Sequence, residues 1–268
     1  TKKTMTYWNL LSATIVLYLI PCIPYVDLKK SNTRLLINGA LFLGLLSHAS
    51  LFYISTFSEG IDLNFSNALL IISWVTVFLY WLINFNALHK GFHFLTLVPA
   101  LLILVINPVL NDHHYLSNAY SFTALIHIII ALLGYSLLAF GAIFSIFLLF
   151  VETNLHNKKT GSALFCSDSS ILSLESHLFA IYWVGFLLLT ITMVTGTFFT
   201  EEFFGTSLVI NHKLVFSILA WLIYGGLLFA RAIFGWRGKK AIHFSLLAFV
   251  FLFLSYLGSK FVIEILLP

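Results

Sequence analysis

Two histidines lie inside long apolar stretches, and they are the residues best suited to do chemistry in this chain. His48 lies in LLSHASLFY and His127 in LIHIIIALLGY. An imidazole in a bilayer is costly unless a partner satisfies its nitrogens, so an ionisable residue there indicates a functional site. Two such rings at one depth would favour a shared ligand, provided that the helices that carry them cross the membrane.

The composition places both histidines in membrane-spanning helices. Of the 268 residues, 60% are apolar and only 9% are charged, and the mean hydropathy is +1.00. A spanning helix needs about 20 apolar residues. Eight stretches approach that length: 7–28, 34–55, 66–87, 92–109, 121–151, 175–200, 211–235 and 241–266. The sequence therefore predicts an all-α polytopic membrane protein, a bundle of about eight transmembrane helices forming a single domain over 1–268. The fourth stretch carries Pro99 and Pro108, and we expect it to be tilted or broken.

Basic residues in the short loops predict the orientation of these helices. With eight spans, most loop lysines and arginines fall on one side, which the positive-inside rule makes the cytoplasm; they are Lys29, Lys30, Arg34, Lys90, Lys158, Lys159, Arg237, Lys239 and Lys240. Lys2 and Lys3 go against the rule, but these nine residues outvote them, so both termini are expected to face outward. The formal charge of +4 then reflects the inner membrane surface, and we expect the lipid bilayer as a partner and no nucleic acid.

The predicted depths of the two histidines agree. His48 is fourteen residues beyond Arg34, so it lies roughly 21 Å above the inner boundary and about 9 Å below the outer surface. His127 follows the outer start of its helix by six residues, or roughly 9 Å. Facing imidazoles at one depth favour haem iron as the shared ligand. Alternatively, each histidine forms a hydrogen bond to another helix and has a structural role. The two cysteines form no CxxCH motif, so the haem would be a non-covalent b-type haem.

Three further residues are candidates for the same cofactor. His212 opens the seventh helix at the outer boundary and is either an interfacial cap or a third ligand. Lys213 and Lys260, also predicted near the outer surface, could neutralise haem propionates or simply extend their ammonium groups to the interface. Enzymatic sites are not indicated, because GxSxG, P-loop and GxGxxG motifs do not occur, so we expect no enzyme. The cytoplasmic-side histidines, including His93, are expected to be interfacial, and Glu175 is expected to favour a helix N-terminus.

The C-terminal half resembles a known family. LES at 174–176, Gly196, AWLIYG at 220–225, GWRG at 235–238 and YLGSKF at 256–261 occur in the order typical of the cytochrome c assembly superfamily, which includes the CcsA, CcmC and HemX-like proteins. The stretch 125–149 resembles the His helix of that superfamily, and His48 resembles the second-helix histidine of its YpjD branch of bacterial inner-membrane proteins. The resemblance implies a multi-pass protein of the bacterial inner membrane that acts in cytochrome biogenesis.

The departures from the family pattern narrow the expected function. Haem-delivering members carry a tryptophan-rich outer loop ending in WDPKE, whereas this chain reads FFGTSLVINHK at 203–213 and keeps only Lys213 of that ending. Phe229 also replaces an inner histidine, while the ligand that matches His127 is kept. We therefore expect a haem-binding protein in haem handling or cytochrome c maturation, with His48 and His127 as axial ligands. The alternatives are a non-catalytic assembly or regulatory factor with a membrane or periplasmic protein partner, and a transporter.

Overall fold

The computed structural model is all-helical in the part of the chain that it describes. That part covers residues 2–23, 31–57, 61–84, 90–110, 122–156, 171–198 and 212–258, and no strand occurs in it. Eight helices are long and apolar enough to cross a membrane. They are α1 (Lys2–Leu19), α2 (Ser31–Phe57), α3 (Phe65–Asn84), α4 (Lys90–Ile106), α5 (Phe122–His156), α6 (Ile171–Phe198), α7 (His212–Phe234) and α8 (Gly238–Phe253). The predicted fold class, a polytopic helical membrane protein with eight spans, is confirmed.

Helices α1 to α4 form one compact unit. Within it α1 packs against α2 and α4, and α3 packs against the same two helices, so the four helices close into a ring of neighbours. Pro99 lies inside α4 without ending it, whereas Pro108 lies in a 3₁₀ turn, Asn107–Val109, that follows the helix. The fourth span is thus a continuous α-helix through Pro99 that ends before Pro108, where the missing proline N–H and fixed φ suit a tighter turn.

Helices α5 to α8 form the second compact unit, with the same pattern of neighbours. α5 packs against α6 and α8, and α7 packs against the same two. α5 has 35 residues, or about 52 Å at helical rise, which confirms the long fifth helix. A Cβ at Gly141 would lie 2.5 Å from a ring carbon of Tyr182, and a Cβ at Gly185 would lie 2.6 Å from Leu138. The close packing of α5 on α6 therefore depends on these glycines.

Large apolar side chains remain exposed on both units. This exposure would be unfavourable in water, but it is the expected outer surface of helices in lipid, where apolar groups face acyl chains. The most exposed examples are Met5, Leu35, Leu36, Tyr53, Val109, Phe122, Leu172, Phe198 and Phe234.

Candidate functional site

His48 is enclosed within the first unit. The ring lies on α2 with none of its surface exposed, and its Nδ1 is 3.2 Å from the hydroxyl of Tyr18 on α1. The Tyr18 ring lies against Gly44, where a Cβ would be 2.6 Å away. The Nε2 atom of His48 is buried and has no hydrogen-bond partner among the residues that the structure describes. A buried nitrogen without a partner costs about 1–3 kcal/mol, so this atom is the strongest indication of a ligand in the unit.

His127 lies near the start of α5 in the second unit and is half-buried. Its Nδ1 is 2.7 Å from the hydroxyl oxygen of Thr195 on α6. Gly196, the next residue, leaves room for the ring, because a Cβ there would lie 3.3 Å from the Cε1 atom of His127. The α6 residues at this level therefore fix both the hydrogen bond and the orientation of the imidazole.

The two histidines share an arrangement that suits imidazole ligation of a metal. In each ring the Nδ1 atom faces a hydroxyl group, that of Tyr18 or that of Thr195. Metal-bound histidines almost always donate a hydrogen bond from their second nitrogen, and such a contact orients the ring. The donor set thus fits a haem iron chemically, with Nε2 as the nitrogen that would bind it.

The second unit also places one predicted lysine near His127. Lys213 is exposed, its ammonium lies 5.5 Å from the centroid of the Tyr256 ring, and it is within electrostatic range of the His127 imidazole. His212, the first residue of α7, is exposed as well. The structure thus places Lys213 in the same unit as His127, and its role at an anionic group stays a prediction. Lys260 lies outside the described residues.

His48 belongs to the first compact unit and His127 to the second. His48 precedes the end of α2 by nine residues, or about 14 Å, and His127 follows the start of α5 by five residues, or about 8 Å. Their common ligand and common depth remain predictions.

A second buried tyrosine–histidine pair was not predicted from the sequence. His93 on α4 was expected at the interface, but only 1% of it is exposed, and its Nδ1 is hydrogen-bonded to the hydroxyl of Tyr80 on α3, which is fully buried. The apolar run GFHFLTLV was the available signal, because a histidine flanked by aromatic residues inside such a run favours burial. Among its described residues, the first unit therefore contains two enclosed imidazoles, each paired with a tyrosine.

Glu175 has a tertiary role that differs from the expected helix N-terminus effect. The side chain is buried, and one oxygen accepts a 2.7 Å hydrogen bond from the backbone N–H of Gly238 while the other lies 3.8 Å from Arg231. Arg231 in turn donates a 2.9 Å hydrogen bond to the carbonyl of Trp236. Gly235 and Gly238 have φ near +60°, which glycine adopts without strain. The GWRG sequence is thus the turn between α7 and α8, held to α6 by one carboxylate.

These features belong to a recognised class of membrane protein. Residues 35–267 match the family of the cytochrome C assembly protein, and since this match covers most of the chain, the protein belongs to that family.

Two named relatives illustrate the range of the family. The chain is similar to the inner membrane protein YpjD of Escherichia coli K12, with 34% identity over 138 residues, which cover 52% of this chain and 51% of YpjD. It is also similar to the cytochrome c biogenesis protein CcsA of Heterosigma akashiwo, with 26% identity. The alignment is 299 positions long, gaps included, and covers 95% of this chain and 92% of CcsA. The alignment with YpjD thus spans about half of that protein's length, while the alignment with CcsA spans nearly all of it.

Proposed function

We propose that this protein binds haem in the bacterial inner membrane and acts in haem handling or cytochrome c maturation. A non-covalent b-type haem is held near the outer leaflet by His48 and His127, and both chain termini lie outside. The observation that supports this most strongly is the buried Nε2 of His48, which has no hydrogen-bond partner in the described part of the chain. The names of the relatives agree, because one is an inner membrane protein and the other a cytochrome c biogenesis protein.

Each candidate residue has a defined role in this proposal. Tyr18 and Thr195 orient the two imidazoles through Nδ1. Lys213 and Lys260 neutralise the propionates, and His212 is the alternative second ligand. Bound by two imidazoles, a haem supplies a low-spin iron without an open coordination position, which suits storage, transfer or electron transfer better than oxygen chemistry. The protein is accordingly a binding protein and not an enzyme.

The experiment compares the absorption spectra of the wild type and its histidine variants, each purified from cells grown with ample haem. The wild type should show a Soret band and a low-spin ferric spectrum, and both His48→Ala and His127→Ala should lose the low-spin form or the haem itself. His177→Ala is the matched control, because His177 is exposed and bonds only locally, to the carbonyl of Ser173. A colourless wild type would refute the proposal, and normal spectra in both test variants would refute the ligand assignment.

One observation favours a second function, that of an assembly or regulatory factor without its own cofactor. His48 has no exposed surface and already contacts Tyr18, as expected for a structural histidine that links α1 to α2. A colourless protein that co-purifies in detergent with a stoichiometric membrane or periplasmic partner would support this second function over the first.

A further inference from the structure

We infer that Thr195 is the positioning residue that holds His127 in the Nδ1–H tautomer and thereby presents the Nε2 lone pair to iron. The inference deepens the proposed function and rests on it. It begins with three contacts of one hydroxyl oxygen. Oγ1 of Thr195 lies 2.7 Å from Nδ1 of His127, 2.8 Å from the carbonyl oxygen of Ile191 and 3.2 Å from that of Thr192.

The number of protons decides the direction of these bonds. A threonine hydroxyl has one proton, and a backbone carbonyl can only accept. The 2.8 Å contact between Oγ1 and the Ile191 carbonyl joins two oxygens, so it is favourable only if the hydroxyl proton lies between them. That proton is then not available to His127, and the hydroxyl oxygen must accept from the imidazole instead.

The acceptor role of Thr195 fixes the chemistry of the other ring nitrogen. A neutral imidazole protonated at Nδ1 carries its lone pair on Nε2, where it can accept a hydrogen bond or ligate a metal but cannot donate. Gly196 completes the arrangement, because the ring edge with Cε1 and Nε2 lies over it, 3.3 and 3.9 Å from where a Cβ would be. Residues 195 and 196 therefore set the tautomer and the ring orientation together.

The contacts of His48 do not assign its tautomer in the same way. Its Nδ1 is 3.2 Å from the Tyr18 hydroxyl, which makes no second hydrogen bond within the described ranges. If Tyr18 donates, Nε2 of His48 carries a proton and cannot bind iron; if Tyr18 accepts, the phenol proton lacks an acceptor. Ligation at His48 therefore requires a rearrangement of protons that His127 does not require. His127 is accordingly the histidine whose tautomer its contacts assign.

The first test reads the tautomer in the haem-free protein. Nuclear magnetic resonance of ¹⁵N-histidine protein in nanodiscs, with the His127 signals assigned by their loss in His127→Ala, should show Nδ1 protonated and Nε2 unprotonated. Thr195→Val should shift His127 toward the Nε2–H form, and Thr195→Ser should restore the wild-type pattern. Thr192→Val is the matched control, because the Thr192 hydroxyl bonds to the carbonyl of Leu188. An Nε2–H tautomer in the wild type would overturn the inference.

The second test measures haem affinity by titration of the same proteins. Loss of a residue that orients a ligating histidine weakens metal binding about 10–100-fold, which we expect for Thr195→Val and not for Thr195→Ser or Thr192→Val. Unchanged affinity in Thr195→Val, with haem bound by the wild type, overturns the role of Thr195 alone. A wild type that binds no haem overturns the proposed function, and the tautomer measurement distinguishes the two failures.

Discussion

Removal of the Glu175 carboxylate should destabilise the second unit by an amount that follows from its contacts. In Glu175→Ala the half-buried backbone N–H of Gly238 loses its acceptor, which costs up to about 1–3 kcal/mol. The ion pair with Arg231 adds less than about 1 kcal/mol, because its atoms are 3.8 Å apart and the Arg231 side chain is 20% exposed. The expected loss is therefore about 1–4 kcal/mol. Glu175→Gln keeps an oxygen for Gly238 and should lose only about 1 kcal/mol.

Reversible unfolding of the purified protein in mixed micelles, followed by tryptophan fluorescence, measures both losses. Thr195 is twenty residues further along α6, or about 30 Å away, so haem affinity should not change in either Glu175 variant. Equal destabilisation by Ala and Gln would refute the reasoning, because it would show that the hydrogen bond to Gly238 does not stabilise the turn. A wild-type unfolding curve for Glu175→Ala would refute it as well.

Three further outcomes are expected. Gly141→Ala should reduce the free energy of unfolding by about 1–3 kcal/mol, because the added Cβ would meet the Tyr182 ring, whereas Gly226→Ala, with nothing within 4 Å, should not be destabilising; equal losses in the same unfolding assay would contradict the packing argument. Tyr18→Phe removes the hydroxyl at Nδ1 of His48, so the haem-loaded protein should show a shifted reduction potential in a redox titration, and an unshifted potential would exclude Tyr18 from the site. His212→Ala should retain bound haem and its low-spin spectrum, because the axial pair is proposed elsewhere; loss of the low-spin form would make His212 the second ligand.

The spans could be predicted from the sequence because apolar length alone determines them. The fifth helix followed from the long apolar stretch 121–151. Proline alone does not predict where a helix ends, because Pro99 lies inside α4 whereas Pro108 lies in the turn that follows it.

Contacts across helices could not be predicted, because they join residues far apart in the chain. The sequence predicts that Glu175 favours a helix N-terminus, yet its hydrogen-bond partner Gly238 is 63 residues away. The sequence predicts an interfacial His93, yet the side chain is buried and hydrogen-bonded to Tyr80 on a neighbouring helix. For His127 the sequence indicated a buried imidazole, but only tertiary packing reveals Thr195, which assigns its tautomer. The ligand candidates were visible as single residues, whereas the groups that tune them were not.

A high-resolution structure of the haem-loaded protein in lipid tests the central claim most directly. The account predicts iron coordinated on opposite faces by Nε2 of His48 and Nε2 of His127, with Thr195 still bonded to Nδ1 of the latter. Haem bound elsewhere, or the two imidazoles separated by packed side chains or lipid, would contradict it.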